Sequence, residues 1–156
     1  MHPEKIVTAN GVSLCVQEFG APTDPGVLLV GGAASSMDWW EDGFCERIAA
    51  GGRRVVRYDL RDTGRSTASP AGKPTYTGAD VRNDAVALID VLGLAPAHLV
   101  GLSMGGAIAQ EIAIAHPEKV ATLTVMSTSP VGPVRSGLPS PEPRVAALFA
   151  DPAPEP

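Results

Sequence analysis

The sequence has little cysteine, no long apolar run and no block of positive charge, and each absence closes off a class of protein. Cys15 and Cys45 are the only two cysteines among 156 residues, too few for the disulfide framework of a small secreted domain. They read as buried reduced thiols, and a cytoplasmic location is the matching expectation. No apolar stretch nears the roughly 20 residues that span a bilayer. The N-terminal MHPEKIVTANG lacks the apolar core of a secretory leader, so neither anchor nor leader is expected. No run of five basic residues occurs, and 17 acidic residues outweigh 12 basic ones to give a net charge of −5. That balance argues against nucleic acid or an anionic membrane surface as partner. His2, His98 and His116 have no metal-ligand spacing with one another or with the cysteines; no metal and no cofactor is implied.

What is present is a globular α/β pattern. Apolar residues make up 44% and charged residues 19%, the balance of a folded domain rather than a disordered chain, and the length suits one domain. Residues 4–9 and 12–19 are strand-like runs around Asn10-Gly11, a pair that takes the positive φ angles of a tight hairpin. GVLLVG (26–31) is short and continuously apolar, as in a strand buried on both faces of a parallel sheet. A helix is predicted over 38–50, with Trp40, Phe44 and Ile48 on one face and a stop at Gly51-Gly52. RVVRYD (54–59) is the next strand. Residues 77–92 form the strongest helix, with Val81, Ala85, Leu88 and Leu92 in one stripe and Gly93 at its end. A strand over 98–102, a helix over 104–116 ended by Pro117, and a strand over 121–127 complete the pattern. Strands alternating with helices imply a mostly parallel, doubly wound sheet covered on both faces. After Ser129 the composition changes: eight of the 15 prolines fall in the last 27 residues. The expected division is a core over 1–129 and a proline-rich tail over 130–156. Within the tail, 130–143 reads as a loop, RVAALFA (144–150) as a short helix and 151–156 as a frayed end.

The segment LVGLSMGGAIAQ (99–110) carries the chemistry. Gly101, Ser103 and Gly105 make a G-x-S-x-G motif between an apolar strand and a small-residue helix. In that context the serine sits on a sharp strand-to-helix turn with its hydroxyl exposed above the sheet. The next residue, Met104, presents its N–H at a helix N-terminus, where partial positive charge favours an oxyanion. The competing reading is an ordinary turn with a capping serine. A phosphate-binding loop fits poorly, because Ala107-Ile108 stand where Lys-Ser/Thr is needed.

With these residues the chain resembles the α/β-hydrolase fold family. LLVGGAASS (28–36) is similar to the family's loop after strand 3, YDLRDTGRST (58–67) to its D-x-R-G-x-G-x-S turn with Asp62 in place of the first glycine, and HLVGLSMGGAIAQEIAIAHPEKVATLTVMST (98–128) to its elbow, helix and strand 6. The branch most resembled contains aclacinomycin methylesterase-like, proline iminopeptidase-like and haloperoxidase-like hydrolases. The resemblance implies Ser103 as nucleophile, and Met104 with either Gly32 or Ala33 as oxyanion-hole donors. A serine at the elbow implies ester or amide chemistry, since dehalogenases and epoxide hydrolases of this fold carry aspartate there. Met37 or Trp39 is a candidate for lining the substrate pocket, whereas Trp40 reads as core. Asp59, Arg61, Asp62 and Arg65 read as a charged loop pinning the fourth strand. The family strand order, 1-2-4-3-5-6-7-8, would place 121–127 at an edge, with strands 7–8 absent. That edge is apolar and is expected to promote self-association.

The same resemblance requires an acid and then a histidine after the serine, the histidine to accept the hydroxyl proton and the acid to orient it. Only His116 follows Ser103, and it lies about 12 residues and ~18 Å along the helix. Glu111 and Glu118 read as solvated surface charges. The expectation is therefore a truncated serine hydrolase whose full-length form cleaves carboxylic esters, methyl esters in particular, with RVAALFA beginning a lid. The alternatives are one half of a split enzyme, or a non-catalytic module that binds a small ligand or partner. The 156-residue chain itself is expected to have weak activity at most.

Overall fold

A computed structural model describes residues 2–132 and 142–150. Its centre is a six-stranded sheet in the order β1-β2-β4-β3-β5-β6, as the resemblance implied. β1 (Glu4–Ala9) and β2 (Val12–Phe19) form the expected hairpin, closing on the pair Ala9 and Val12. Asn10 and Gly11 both take positive φ, 47° and 74°, as a tight turn of this handedness requires. β2 runs antiparallel to β4 (Arg54–Tyr58). β3 (Gly26–Val30), β4, β5 (Ala97–Leu102) and β6 (Val120–Met126) run parallel. All five residues of β3 are buried. At roughly 1.5–3 kcal/mol per fully buried aliphatic side chain, Leu28 and Val30 tie the strand into the apolar cluster on one face and Val27 and Leu29 into that on the other.

Helices cover both faces. α2 (Gly78–Val91) and α3 (Met104–Ala115) enclose one apolar cluster, built from Leu28, Val56, Leu88, Ile89, Leu99 and Ile112 among others. α1 (Asp42–Ala49) covers a smaller cluster around Phe19, Leu29, Trp40 and Val55 on the opposite face. Thr77 starts α2 with a reciprocal cap: its hydroxyl accepts from the Asp80 N–H, and the Asp80 carboxylate accepts from the Thr77 N–H. A further helix, α4 (Pro143–Ala150), stands where RVAALFA predicted one. Most of the expected 130–143 loop and the 151–156 end lie outside the described residues. No described helix is long and apolar enough to cross a membrane.

One predicted helix is corrected. The 38–50 helix begins at Asp42, after a short 3₁₀ turn over Met37–Trp39. Arg57, buried beneath it, donates to the Trp40 carbonyl, and Trp40 leaves the helical region at φ −88° and ψ 88°. The i, i+4 spacing of Trp40 and Phe44 therefore does not make one buried stripe. Trp40 is core, Phe44 stacks on its ring at 5.7 Å but is 42% exposed, and Cys45 takes the inward position. Both cysteines are buried and free.

Among the described residues β6 is an edge strand, and its burial differs from that of β3. Every residue in it is exposed or half-buried, with Leu123 and Val125 among the exposed apolar side chains. α3 packs beside it.

Candidate active site

Because β3 to β6 are parallel, their C-terminal ends open at one edge of the sheet. Four segments meet there: the 31–36 loop after β3, the 59–77 stretch after β4, the turn after β5 and the 127–131 segment after β6. The crevice outside the carboxyl ends of parallel strands is where ligands bind in such sheets.

Ser103 occupies the turn after β5. Its backbone is at φ 53° and ψ −117°, in a region that costs a non-glycine residue of order 1–3 kcal/mol. The surroundings hold it there. Its N–H donates to the Met126 carbonyl at 2.9 Å, and its carbonyl accepts from Gly106 and Ala107 at 2.9 and 3.2 Å. The side chain makes no capping hydrogen bond to α3, so the capping-serine alternative has no geometric support. Ser103 is exposed and lines a hollow of about 530 Å³ with Met104, Ala107, Ser127 and Thr128.

The flanking glycines are there for space. A Cβ on Gly101 would collide with the Gly105 carbonyl, and one on Gly105 with the carbonyls of Val30 and Gly31. A Cβ on Gly106 would lie 2.7 Å from the Thr128 methyl. Strand, turn and helix are thus packed backbone against backbone, which only glycine permits. The same closeness brings the 31–36 loop to the serine. A Cβ built on Gly32 would be 3.6 Å from the Ser103 Cβ. Ala33 follows and is exposed. The Met104 N–H lies in the first turn of α3, where no intrahelical acceptor exists.

A buried carboxylate fixes this loop. Asp59 is 2% exposed; Oδ1 accepts from the Met37 N–H and Oδ2 from the Arg65 N–H, both at 2.8 Å. The loops after β3 and β4 are joined through this one side chain. Arg61 makes a two-pronged pair with Asp84 of α2 at 2.6 and 2.8 Å, and Asn10 of the hairpin donates to the same carboxylate at 2.8 Å. Asp62, at φ 61°, accepts from the Ser69 N–H and faces the Tyr76 hydroxyl; in that order these bonds hold its carboxyl below the ordinary carboxylate range. The charged loop therefore has the pinning role its sequence suggested.

The other candidates fall in different places. Met37 is buried, and Trp39 is 63% exposed, lining a hollow with Phe44 and Met126. None of the three histidines lines the Ser103 hollow. His98 sits at the start of β5 with Nδ1 2.8 Å from the Thr122 hydroxyl, His116 follows α3 beside Glu118, and His2 lies by Glu46 and the Phe19 ring. Glu111 faces Arg82 at 3.4 Å. Sequence reasoning missed Tyr76 and Gly78, which line a second cavity sharing Met104; the Thr77–Asp80 spacing was the one signal marking that helix start.

The model of the alpha/beta hydrolase fold matches residues 25–154. The chain belongs to the α/β-hydrolase fold family. Rhodomycin D methylesterases from Streptomyces sp. (strain C5) and Streptomyces peucetius are each 40% identical to it over 124 residues, covering 80% of this chain and 42% of theirs. Among solved structures, the thioesterase domain from the curacin biosynthetic pathway superposes with a TM-score of 0.74 at 29% identity, covering 96% of this chain and 52% of that one. Epoxide hydrolase A from Mycobacterium thermoresistibile gives 0.76 at 27% identity, covering 96% and 44%. This α/β-hydrolase chain thus spans about two-fifths of the length of the methylesterases it matches.

Proposed function

We propose that the protein is a serine hydrolase of carboxylic esters, with Ser103 as nucleophile. The observation that carries this reading is the Ser103 turn itself: a positive-φ serine, free of any capping bond, exposed at the C-terminal end of the parallel strands. Ser103 Oγ attacks the ester carbonyl and its proton passes to a general base. The tetrahedral oxyanion is held by the Met104 N–H and by the N–H of Gly32 or Ala33. Collapse expels the alcohol and leaves an acyl-serine, which water cleaves. The nearness of the Gly32 backbone to Ser103 supports the second donor. The rhodomycin D methylesterase relatives favour a methyl ester as the substrate.

The three histidines lie away from Ser103. That favours a second reading of the same site, in which the base and its acid come from polypeptide outside the described residues, whether the rest of a longer chain or a companion chain. The 156-residue chain then has weak activity, from attack by the unassisted Ser103 hydroxyl with the oxyanion donors in place. The test is hydrolysis of methyl 2-naphthoate by the purified chain and by Ser103→Ala. Slow release of the acid that disappears in Ser103→Ala is expected. Equal rates in both would remove Ser103 from the mechanism and leave a non-catalytic binding module.

A further inference from the structure

A cavity of about 370 Å³ lies between the 60–63 turn, the 74–78 segment, the start of α2 and the 33–34 loop. It shares Met104 with the Ser103 hollow. Ala33, one of the two alternative oxyanion donors, also lines it. Its size is within the usual 300–1,000 Å³ range of small-molecule sites. Its apolar wall is Ala33, Ala34, Leu60, Val81 and Met104.

The polar groups on the same wall are already committed. Arg61 is paired with Asp84 at 2.6 and 2.8 Å, and its guanidinium lies 5.4 Å from the Tyr76 ring centre. The Asp62 carboxylate accepts from the Ser69 N–H and faces the Tyr76 hydroxyl. The Thr63 hydroxyl donates to the Leu60 carbonyl at 2.9 Å, and the Thr77 hydroxyl to Asp80 at 2.8 Å. No charged side chain of this wall is left to recognise an ion, and burying an unpaired charge there would be costly. We propose that this cavity is the subsite for a neutral, apolar, ring-sized group of the substrate, with Met104 as the wall dividing it from the reacting serine. The assignment rests on the esterase reading for what the ring is attached to. The flexible thioether of Met104 suits a divider that must adjust to ring shape.

Gly78 supplies the means to test it. It lines this cavity and the neighbouring one beside Arg82, and a Cβ placed on it meets nothing within 4 Å. It is also the first residue of α2, so a larger side chain there extends into space rather than into the core. The experiment is an amide NMR titration of the 156-residue chain with methyl 2-naphthoate and, separately, with the 2-naphthoate anion. The expected shifts centre on Ala33, Ala34, Tyr76, Gly78 and Met104, and the anion binds at least tenfold more weakly. Gly78→Phe weakens the neutral ester at least tenfold, Gly78→Leu less, and Gly78→Ala little. Shifts confined to 127–131, equal binding of ester and anion, or unchanged affinity in a folded Gly78→Phe would each overturn the assignment. Hydrolysis reads Ser103 and the titration reads the cavity wall, so a failed esterase reading and a failed subsite show in different measurements.

Discussion

Gly105→Ala is the sharpest test of how the serine turn is held. A Cβ at this position would have three backbone atoms from the end of β3 and the residue after it on top of it: the Val30 and Gly31 carbonyl oxygens and, at 2.7 Å, the Val30 carbonyl carbon. Ordinary contact lies near 3.5–4.0 Å, so α3 and β3 must separate by roughly 1 Å. Neither partner is a side chain that can rotate away, and the interior compresses little. Overpacking of this kind costs typically ~1–3 kcal/mol, and backbone on both sides places Gly105→Ala at the upper end, ~3 kcal/mol. For a domain of this size each kcal/mol moves Tm by about 2–4 °C, so a fall of ~6–12 °C is expected. Gly43→Ala in α1 is the control: nothing lies within 4 Å of its added methyl, and removing a helical glycine stabilises by about 0.5–1 kcal/mol. Thermal unfolding followed by circular dichroism reads both. A Gly105→Ala chain melting within 2 °C of Gly43→Ala would refute the close-packed elbow.

Asp84→Ala leaves the Arg61 guanidinium without its carboxylate in a setting where the Arg61 side chain is 12% exposed. Breaking such a pair costs ~3–5 kcal/mol, measured as a lower urea midpoint, and Asp84→Leu with Arg61→Met should recover most of it. Burial pushes the Cys15 and Cys45 thiols up, each to about 11 from an ordinary value of 9.0. Between those values the folded chain holds more protons than the unfolded one, so stability is intact below pH 9 and drains away as pH rises to 11; replacing both cysteines with alanine should flatten that part of a Tm-against-pH profile. The open, uncharged β6 edge predicts concentration-dependent self-association of the 156-residue chain in sedimentation velocity. Leu123→Lys, at an exposed edge position, should reduce it as edge lysines do elsewhere.

The elements that were legible in sequence are those whose cause is local. β3 announces itself as an unbroken apolar run, the hairpin through Asn10-Gly11, and the serine turn through glycines at fixed offsets from Ser103. The start of α1 was not legible, because it is set by Arg57 reaching the Trp40 carbonyl from a strand 17 residues away. The tie from Asn10 to Asp84 spans 74 residues, beyond any periodicity. The cavity beside Met104 was hidden for the same reason: its walls come from four segments that only the parallel sheet brings to one edge. Asp59 is an intermediate case. Its place in a charged turn was visible, but its hold on the Met37 N–H across 22 residues was not.

The most direct test of Ser103 as nucleophile is the rate of its modification by a fluorophosphonate, followed by intact mass from pH 6 to 10, with Ser103→Ala as control. With no histidine among the described residues at the serine, the account predicts slow labelling at Ser103 alone. The rate should climb steadily with pH and show no plateau near the ordinary histidine pKa of about 6.5. No adduct in a chain that circular dichroism shows to be folded, or equal labelling of Ser103→Ala, would contradict it.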